Sequence, residues 1–439
     1  SRILFVVLSP IFDHFLSRHF TAMGPQYVDS AGNSSYLSKN SSSESGTSDL
    51  DWTKVLQDEA LNDPTPSVDR FTIAMAGIAL FILATIWPPL ILLVTYLASI
   101  LIPYSFRIND NATTRRQLID KFEKEDDLSA SMREIPDDVQ LKSSYWINSR
   151  GSLMYYTIMT PKTQPIKAVV CHCHGYLDTA TFTKRKELSR IAQRGIGVVM
   201  VDYEGHGRSD GSLGLIMDWN VLVNDVHSFF ADITQKEFPG KKLFLLGESM
   251  GGAVAYTIIK EHPDVYAGVN FVAPMCKIAQ NMMPPAWVIE LGRKIAGPTG
   301  TSTTIGYLPI APSKGDLKML TFKLAHKRAL CTRVPSIFAR KPRLATAREL
   351  LNATKVISES LGEFSAPFLV QHGNADKVTD PKLSQALYDE AISADKTIRL
   401  YDGMWHALTA GEPTENVELV LNDSIEWILA RANDDKKSQ

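Results

Sequence analysis

The apolar run Leu243 to Leu246 passes directly into Gly247-Glu248-Ser249-Met250-Gly251, and the helix-forming stretch Ala253 to Lys260 follows. Few folds accept a strand that must turn into a helix so abruptly. The serine of such a turn is pushed onto a sharp bend, and glycine at the flanking positions lets the two backbones pass closely. Gly-x-Ser-x-Gly alone is only moderately specific, because glycine and serine are common loop residues. The strand before it and the helix after it make the signal strong. Met250 begins the helix, so its backbone N–H points toward the place where an oxyanion would form.

A nucleophilic serine needs a base, and the base needs an orienting acid. On this kind of turn they follow in the chain order serine, acid, histidine. Downstream of Ser249 lie His262, His326, His372 and His406. His406 fits best, in a loop just past the β-type run Thr397 to Tyr401 and before the last helical stretch. His262 precedes Pro263 at the end of the elbow helix and reads as a helix-terminal residue. His372 belongs to a strand end and reads as structural, and His326 sits among lysines and reads as solvated. Asp376, four residues past His372, fits the acid; Asp380, followed by Pro381 and a helical pattern, carries the signature of an N-cap. In these roles Ser249 attacks an acyl carbon, His406 takes and returns the proton, and Asp376 fixes the imidazole tautomer. The expected chemistry is acyl transfer to water. The second oxyanion donor is expected from the loop after the run Val169 to Cys173, and falls on the N–H of Tyr176, with His174 bracing that loop.

Six blocks of sequence, His174-Gly175, Asp202 to Gly211, Gly247 to Gly252, Val272 to Lys277, His372 to Pro381 and Trp405-His406, resemble the monoacylglycerol lipase-like α/β-hydrolases. The plant and algal branch, with its lysophospholipases and caffeoylshikimate esterases, is the most similar. The resemblance runs from about Ser144 to Leu429. It implies a serine hydrolase with a cap over the site, taking single-chain acyl glycerols or related esters, with no metal or organic cofactor. Leu177 departs from the pattern, because many relatives carry a small residue there, and it bears on substrate shape.

Alternating strand and helix patterns predict an α/β fold with a mostly parallel central sheet covered on both faces. An antiparallel hairpin is expected around Ser144 to Met159, then strands at Ala168 to Cys173, Val198 to Tyr203, Leu243 to Gly247, Val269 to Ala273, Pro367 to His372 and Thr397 to Tyr401. Residues 277–364 interrupt the alternation and form a helical cap. Its Met282, Met283 and Trp287 suit a lid over an acyl-chain tunnel, although ordinary packing accounts for any one of them. Lys314, Lys318, Lys323 and Lys327 read as solvating the cap. Lids of this kind also meet bilayers or another subunit, which leaves a homodimer open.

No charged residue lies between Arg70 and Arg107, and the 34 residues from Phe71 to Tyr104 are nearly all apolar, well past the ~18 needed to propose a membrane helix. Pro88-Pro89 near the middle removes two backbone donors and predicts a kink or a reversal. The segment is therefore a membrane-embedded hairpin or one tilted span. Downstream Arg107, Arg115, Arg116 and Lys121, against upstream Asp58, Glu59, Asp63 and Asp69, put the enzyme on the cytosolic side. The partner surface is then a membrane or a lipid droplet. The serine-rich stretch Asp29 to Leu50 reads as a flexible linker, and Ile3 to Leu8 as part of a targeting signal or of a processed or incomplete terminus.

A net charge of −2 gives no basic field for nucleic acid. Cys171, Cys173, Cys276 and Cys331 show neither a disulfide framework nor metal spacing, which predicts reduced thiols. The chain divides into an extension (1–70), the membrane segment (71–104), a polar connector (105–139), core (140–276), cap (277–364), core (365–433) and a polar tail (434–439). The leading expectation is a membrane-associated hydrolase of monoacylglycerol or lysophospholipid. An esterase of a soluble hydroxycinnamate-type ester or an acyltransferase is the alternative, and a non-catalytic receptor is opposed by the intact Ser249, Asp376 and His406.

Overall fold

Runs such as Ala168–Cys173 and Ile196–Val201 are buried at every position, as strands must be when helices cover both faces of a parallel sheet. The structure is a computed structural model and describes residues 112–125, 134–179, 184–276, 306, 317–334 and 342–432. The apolar segment 71–104, the serine-rich linker and the lid residues Met282, Met283 and Trp287 lie outside the described residues. Among the described residues no helix is long and apolar enough to cross a membrane.

The strands are β1 (Val139–Ile147), β2 (Leu153–Pro161), β3 (Ala168–Cys173), β4 (Ile196–Val201), β5 (Leu243–Glu248), β6 (Gly268–Val272), β7 (Phe368–Gly373) and β8 (Lys396–Tyr401). They form one eight-stranded sheet in the order β1-β2-β4-β3-β5-β6-β7-β8. β2 is antiparallel to β1 and to β4, and every pairing from β4 through β8 is parallel. The chain leaves β3 for β4 and then returns past β3 to β5. At such a reversal the loops after β3 and β5 diverge and open a crevice at the carboxyl edge.

The helices are α1 (Ala112–Glu125), α2 (Arg185–Gln193), α3 (Trp219–Glu237), α4 (Met250–Glu261), α5 (Leu317–Thr321), α6 (Ala325–Arg333), α7 (Leu344–Glu359), α8 (Pro381–Glu390) and α9 (Thr414–Ala432). One face of the sheet, with Val170, Val198 and Leu246, packs on Leu188 and Ile191 of α2 and Leu421 and Ile425 of α9. The opposite face, with Val169, Val199 and Leu245, packs on α3, α4, α7 and α8 through Phe229, Val254, Ile357 and Leu387.

Helices α5 to α7 fall between β6 and β7, where the strand alternation breaks. Two of the cap lysines do more than solvate it. Lys323 Nζ donates to the Gly403 carbonyl at 3.0 Å and pairs with Glu412 at 3.6 Å, and Lys327 Nζ reaches Glu187 of α2 at 3.0 Å. Both fasten cap helices to the core. Within the connector 105–139, α1 docks on the loop 202–211. Arg115 sends Nε to the Gly207 carbonyl at 2.7 Å and one terminal nitrogen to Gly211 at 3.1 Å, and it also reaches the Ser209 carbonyl. Arg208 returns the contact to Asp120 and Glu123 of α1.

Candidate active site

Ser249 has φ 53° and ψ −118°, a region that L-residues rarely adopt. Close backbone approach holds it there. A Cβ built on Gly247 would stand 2.5 Å from the Gly251 carbonyl oxygen, and one on Gly251 would stand 1.9 Å from that of Cys173. The Ser249 N–H donates to Val272 O at 3.0 Å, and Met275 N–H donates to Ser249 O at 2.9 Å, so the end of β6 clamps the bend from both sides. Met250 is the first residue of α4, where the N–H groups have no acceptor within the helix.

Asp376 stands in the loop after β7 and His406 in the loop after β8, and the structure brings them together: His406 Nδ1 lies 2.7 Å from Asp376 Oδ2. The carboxylate has further donors. His372 Nε2 is 3.0 Å away and Thr379 Oγ1 2.9 Å, while Oδ1 accepts the backbone N–H groups of Val378 (2.7 Å) and Thr379 (3.2 Å). Burial alone would raise the pKa of this acid; the imidazoles of His406 and His372 outweigh it and hold the carboxyl well below the usual range. His372 Nδ1 lies 2.6 Å from Ser384 Oγ, so in the neutral ring Nδ1 accepts and Nε2–H donates to the acid. His372, read from sequence as a structural strand-end residue, thus touches the candidate acid directly.

Contacts run from this pair to the serine. Thr379 Oγ1 lies 3.1 Å from His406 Nδ1 and 3.3 Å from Ala273 O, and Ala273 follows Val272, whose carbonyl accepts from Ser249. The three groups therefore stand at one edge of the sheet. An imidazole whose Nδ1–H is held by a carboxylate presents Nε2 as a base.

The loop after β3 lies against the serine, since a Cβ on Gly175 would come 3.5 Å from that of Ser249. His174 braces it. Nδ1–H donates to Gly175 O at 2.8 Å, Nε2 accepts Tyr203 N–H at 3.1 Å, and the ring stacks on Tyr203 with centroids 3.8 Å apart. Burial and the neighbouring His206 push its pKa well down, which keeps the ring neutral in this tautomer. Tyr176 follows in a turn closed by Asp178 N–H to Gly175 O, and its hydroxyl donates to Gly214 O at 2.9 Å. Leu177 is buried at φ 55°, a left-handed conformation that a glycine would adopt without strain.

Beside Ser249, Glu248 is buried and belongs to a group whose members no sequence pattern links. The Lys184 ammonium pairs with it, Thr409 Oγ1 lies 2.8 Å from each of its oxygens and 2.8 Å from Lys184 Nζ, and His172 Nε2 is 3.3 Å away. A buried acid next to Ser249 demanded a cation, but nothing in the spacing singled out Lys184. Among the described residues no cluster of histidine, cysteine or carboxylate side chains could hold a metal ion.

Comparison with known proteins extends the geometry. The family profile Hydrolase_4, described as Serine aminopeptidase, S33, matches residues 164–414. The chain is 34% identical over 296 residues to the caffeoylshikimate esterase of Arabidopsis thaliana, covering 66% of this chain and 86% of that one. It is 27% identical over 305 residues to the monoglyceride lipase of Homo sapiens, covering 69% and 95%. Among solved structures, a soluble variant of the monoglyceride lipase of Saccharomyces cerevisiae in complex with a substrate analog superposes with TM-score 0.56 at 19% identity, covering 68% of this chain and 99% of the other. At that identity the likeness speaks for the fold.

Proposed function

The chain belongs to the Hydrolase_4 family (Serine aminopeptidase, S33) as a monoglyceride lipase-like serine ester hydrolase, and from that membership we propose that it cleaves single-chain acyl lipids, monoacylglycerol or lysophospholipid, at a membrane surface. The observation that carries the reading is the Asp376–His406 pair standing at the same sheet edge as a serine held in a strained turn. Ser249 Oγ attacks the ester carbon while His406 Nε2 takes its proton. The oxyanion is received by the N–H groups of Tyr176 and Met250. His406 returns the proton to the departing alcohol, and water then repeats the sequence on the acyl-enzyme. Each oxyanion donor is worth about 100- to 1,000-fold in rate.

Two features support the lipid substrate. Several curated relatives are named monoglyceride lipases, and the 34-residue uncharged, mostly apolar segment from Phe71 to Tyr104 would hold the domain where such substrates partition. A second reading, an ester of a hydroxycinnamate type, draws on the higher identity to the caffeoylshikimate esterase. The test is fluorophosphonate labelling followed by a hydrolysis panel. Wild type should label and Ser249→Ala should not, with kcat down by about four to six orders of magnitude. The panel compares monoacylglycerol, lysophosphatidylcholine, triacylglycerol and caffeoyl shikimate on vesicles. A preference for caffeoyl shikimate would replace the lipid reading, and an unlabelled folded wild type would remove the enzyme.

A further inference from the structure

Three chain segments carry the proposed chemistry, and a single buried side chain reaches all three. Lys184 precedes α2; its ammonium pairs with Glu248, the residue before Ser249, and donates to Thr409 Oγ1 at 2.8 Å, three residues beyond His406. Asp178 Oδ2, two residues beyond Tyr176, lies 4.0 Å from the same nitrogen. The Lys184 side chain is 4% exposed and that of Glu248 8%, so water screens neither. We propose that Lys184 is a positioning residue, whose ammonium keeps the oxyanion loop, the serine elbow and the histidine loop in mutual register during acyl transfer.

The donors and acceptors around Lys184 fit one arrangement. An ammonium has three N–H donors and no acceptor. Two of them go to Glu248 and Thr409, and Thr409 therefore turns its own proton to Glu248, from which both carboxylate oxygens lie 2.8 Å away. His172 Nε2–H, from β3, completes the set. Burial would raise the Glu248 pKa, but the Lys184 charge and His172 outweigh it and keep the group anionic. The next charges outward are Glu187 of α2 and Lys327 of α6, paired with each other at 3.0 Å. Taking away the ammonium would leave a buried anion without its counterion immediately before a residue already strained at φ 53°. Relaxation there would move Ser249 Oγ, and displacement of a reacting atom by about 1 Å costs about 100-fold.

The inference rests on the Ser249–Asp376–His406 reading, and the experiment separates the two. The full-length enzyme, as wild type, Lys184→Met, Lys184→Arg, Glu248→Gln and the double variant Lys184→Met with Glu248→Gln, is compared by thermal melting, fluorophosphonate labelling rate, and kcat and KM on p-nitrophenyl butyrate. Lys184→Met should lose about 100-fold in kcat with KM within about threefold, and Lys184→Arg should recover part of the loss. The double variant, free of the unpaired charge, should regain the melting temperature while kcat and labelling stay depressed. A role in folding alone would restore all three, and that outcome, or an undiminished kcat in Lys184→Met, overturns the proposal. Wild type that fails to label at Ser249 overturns the catalytic reading and the inference with it.

Discussion

At the scale of single residues, the unusual group is the Asp376 carboxylate, which receives two imidazoles, a hydroxyl and two backbone N–H groups. With every lone pair occupied it neither seeks a proton nor rotates, and His406 inherits that rigidity. Asp376→Asn should therefore keep the fold and lose about 10⁴-fold in kcat, because the amide stabilises the wrong tautomer. His372 offers the finer test. His372→Ala removes one donor from a still well-served carboxylate, so kcat should fall about tenfold, with part of it returned by His372→Gln, whose amide N–H can replace Nε2–H. Steady-state kinetics on a soluble ester measure both, and an unchanged kcat in His372→Ala would mean that the second imidazole only packs. The contact between Asp376 and His406 could be anticipated because the chain order serine, acid, histidine restricts the search. The contact of Asp376 with His372 could not, because it comes from the chain doubling back within four residues after β7.

Elements were legible to the degree that burial writes itself into composition. β3, β4, β5 and β6 are buried on both faces, and their mostly apolar runs, broken only by His172, Glu248 and Asn270, give their positions to within about two residues. β1 begins at Val139, earlier than the pattern suggests, because Val-Gln-Leu-Lys-Ser-Ser is largely exposed and has little alternation to read. Polar docking is harder still. α1 has few apolar residues, and its hold on the loop 202–211 comes from guanidinium groups meeting carbonyls, which no hydrophobic period announces. Arg115 is buried, and burial lowers its pKa to about 10. The charge has been moved out of water to satisfy the Gly207, Ser209 and Gly211 carbonyls. Arg115→Met should accordingly cost about 1–3 kcal/mol of stability for the carbonyls left without a donor. Urea unfolding of the full chain measures it, and a midpoint equal to that of wild type would show α1 to be a passive connector.

For the molecule as a whole, the histidines packed behind the loop after β3 contribute to its response to acid, beside His227, whose pKa burial also lowers to about 4. The ring of His206 lies between those of His174, Tyr176 and Tyr203, with centroids 5.3, 5.7 and 5.9 Å away, and the Arg115 charge is nearby. Nδ1–H donates to Glu204 O at 3.2 Å, and Nε2 has no hydrogen-bond partner among the described residues. A proton added at Nε2 would be a buried charge. Burial, aided by Arg115, therefore pulls the His206 pKa from 6.5 to about 4, and His174 moves in the same direction. In the unfolded chain both rings protonate near 6.5 and in the folded chain only far below it, so the unfolded state binds more protons in that window. Stability from these groups is complete above about pH 6.5 and is lost as pH falls toward 4, by about 3 kcal/mol for His206. Asp376 and Glu248, also depressed, contribute fully above the ordinary carboxylate range and begin to lose that contribution as pH falls through it. Urea midpoints should change little from pH 7.5 to 6.5 and fall from there to 4.5, and His206→Asn should flatten the slope because an amide does not titrate. A midpoint that holds constant between pH 7 and 5 would mean that the His206 ring takes up its proton without leaving the fold.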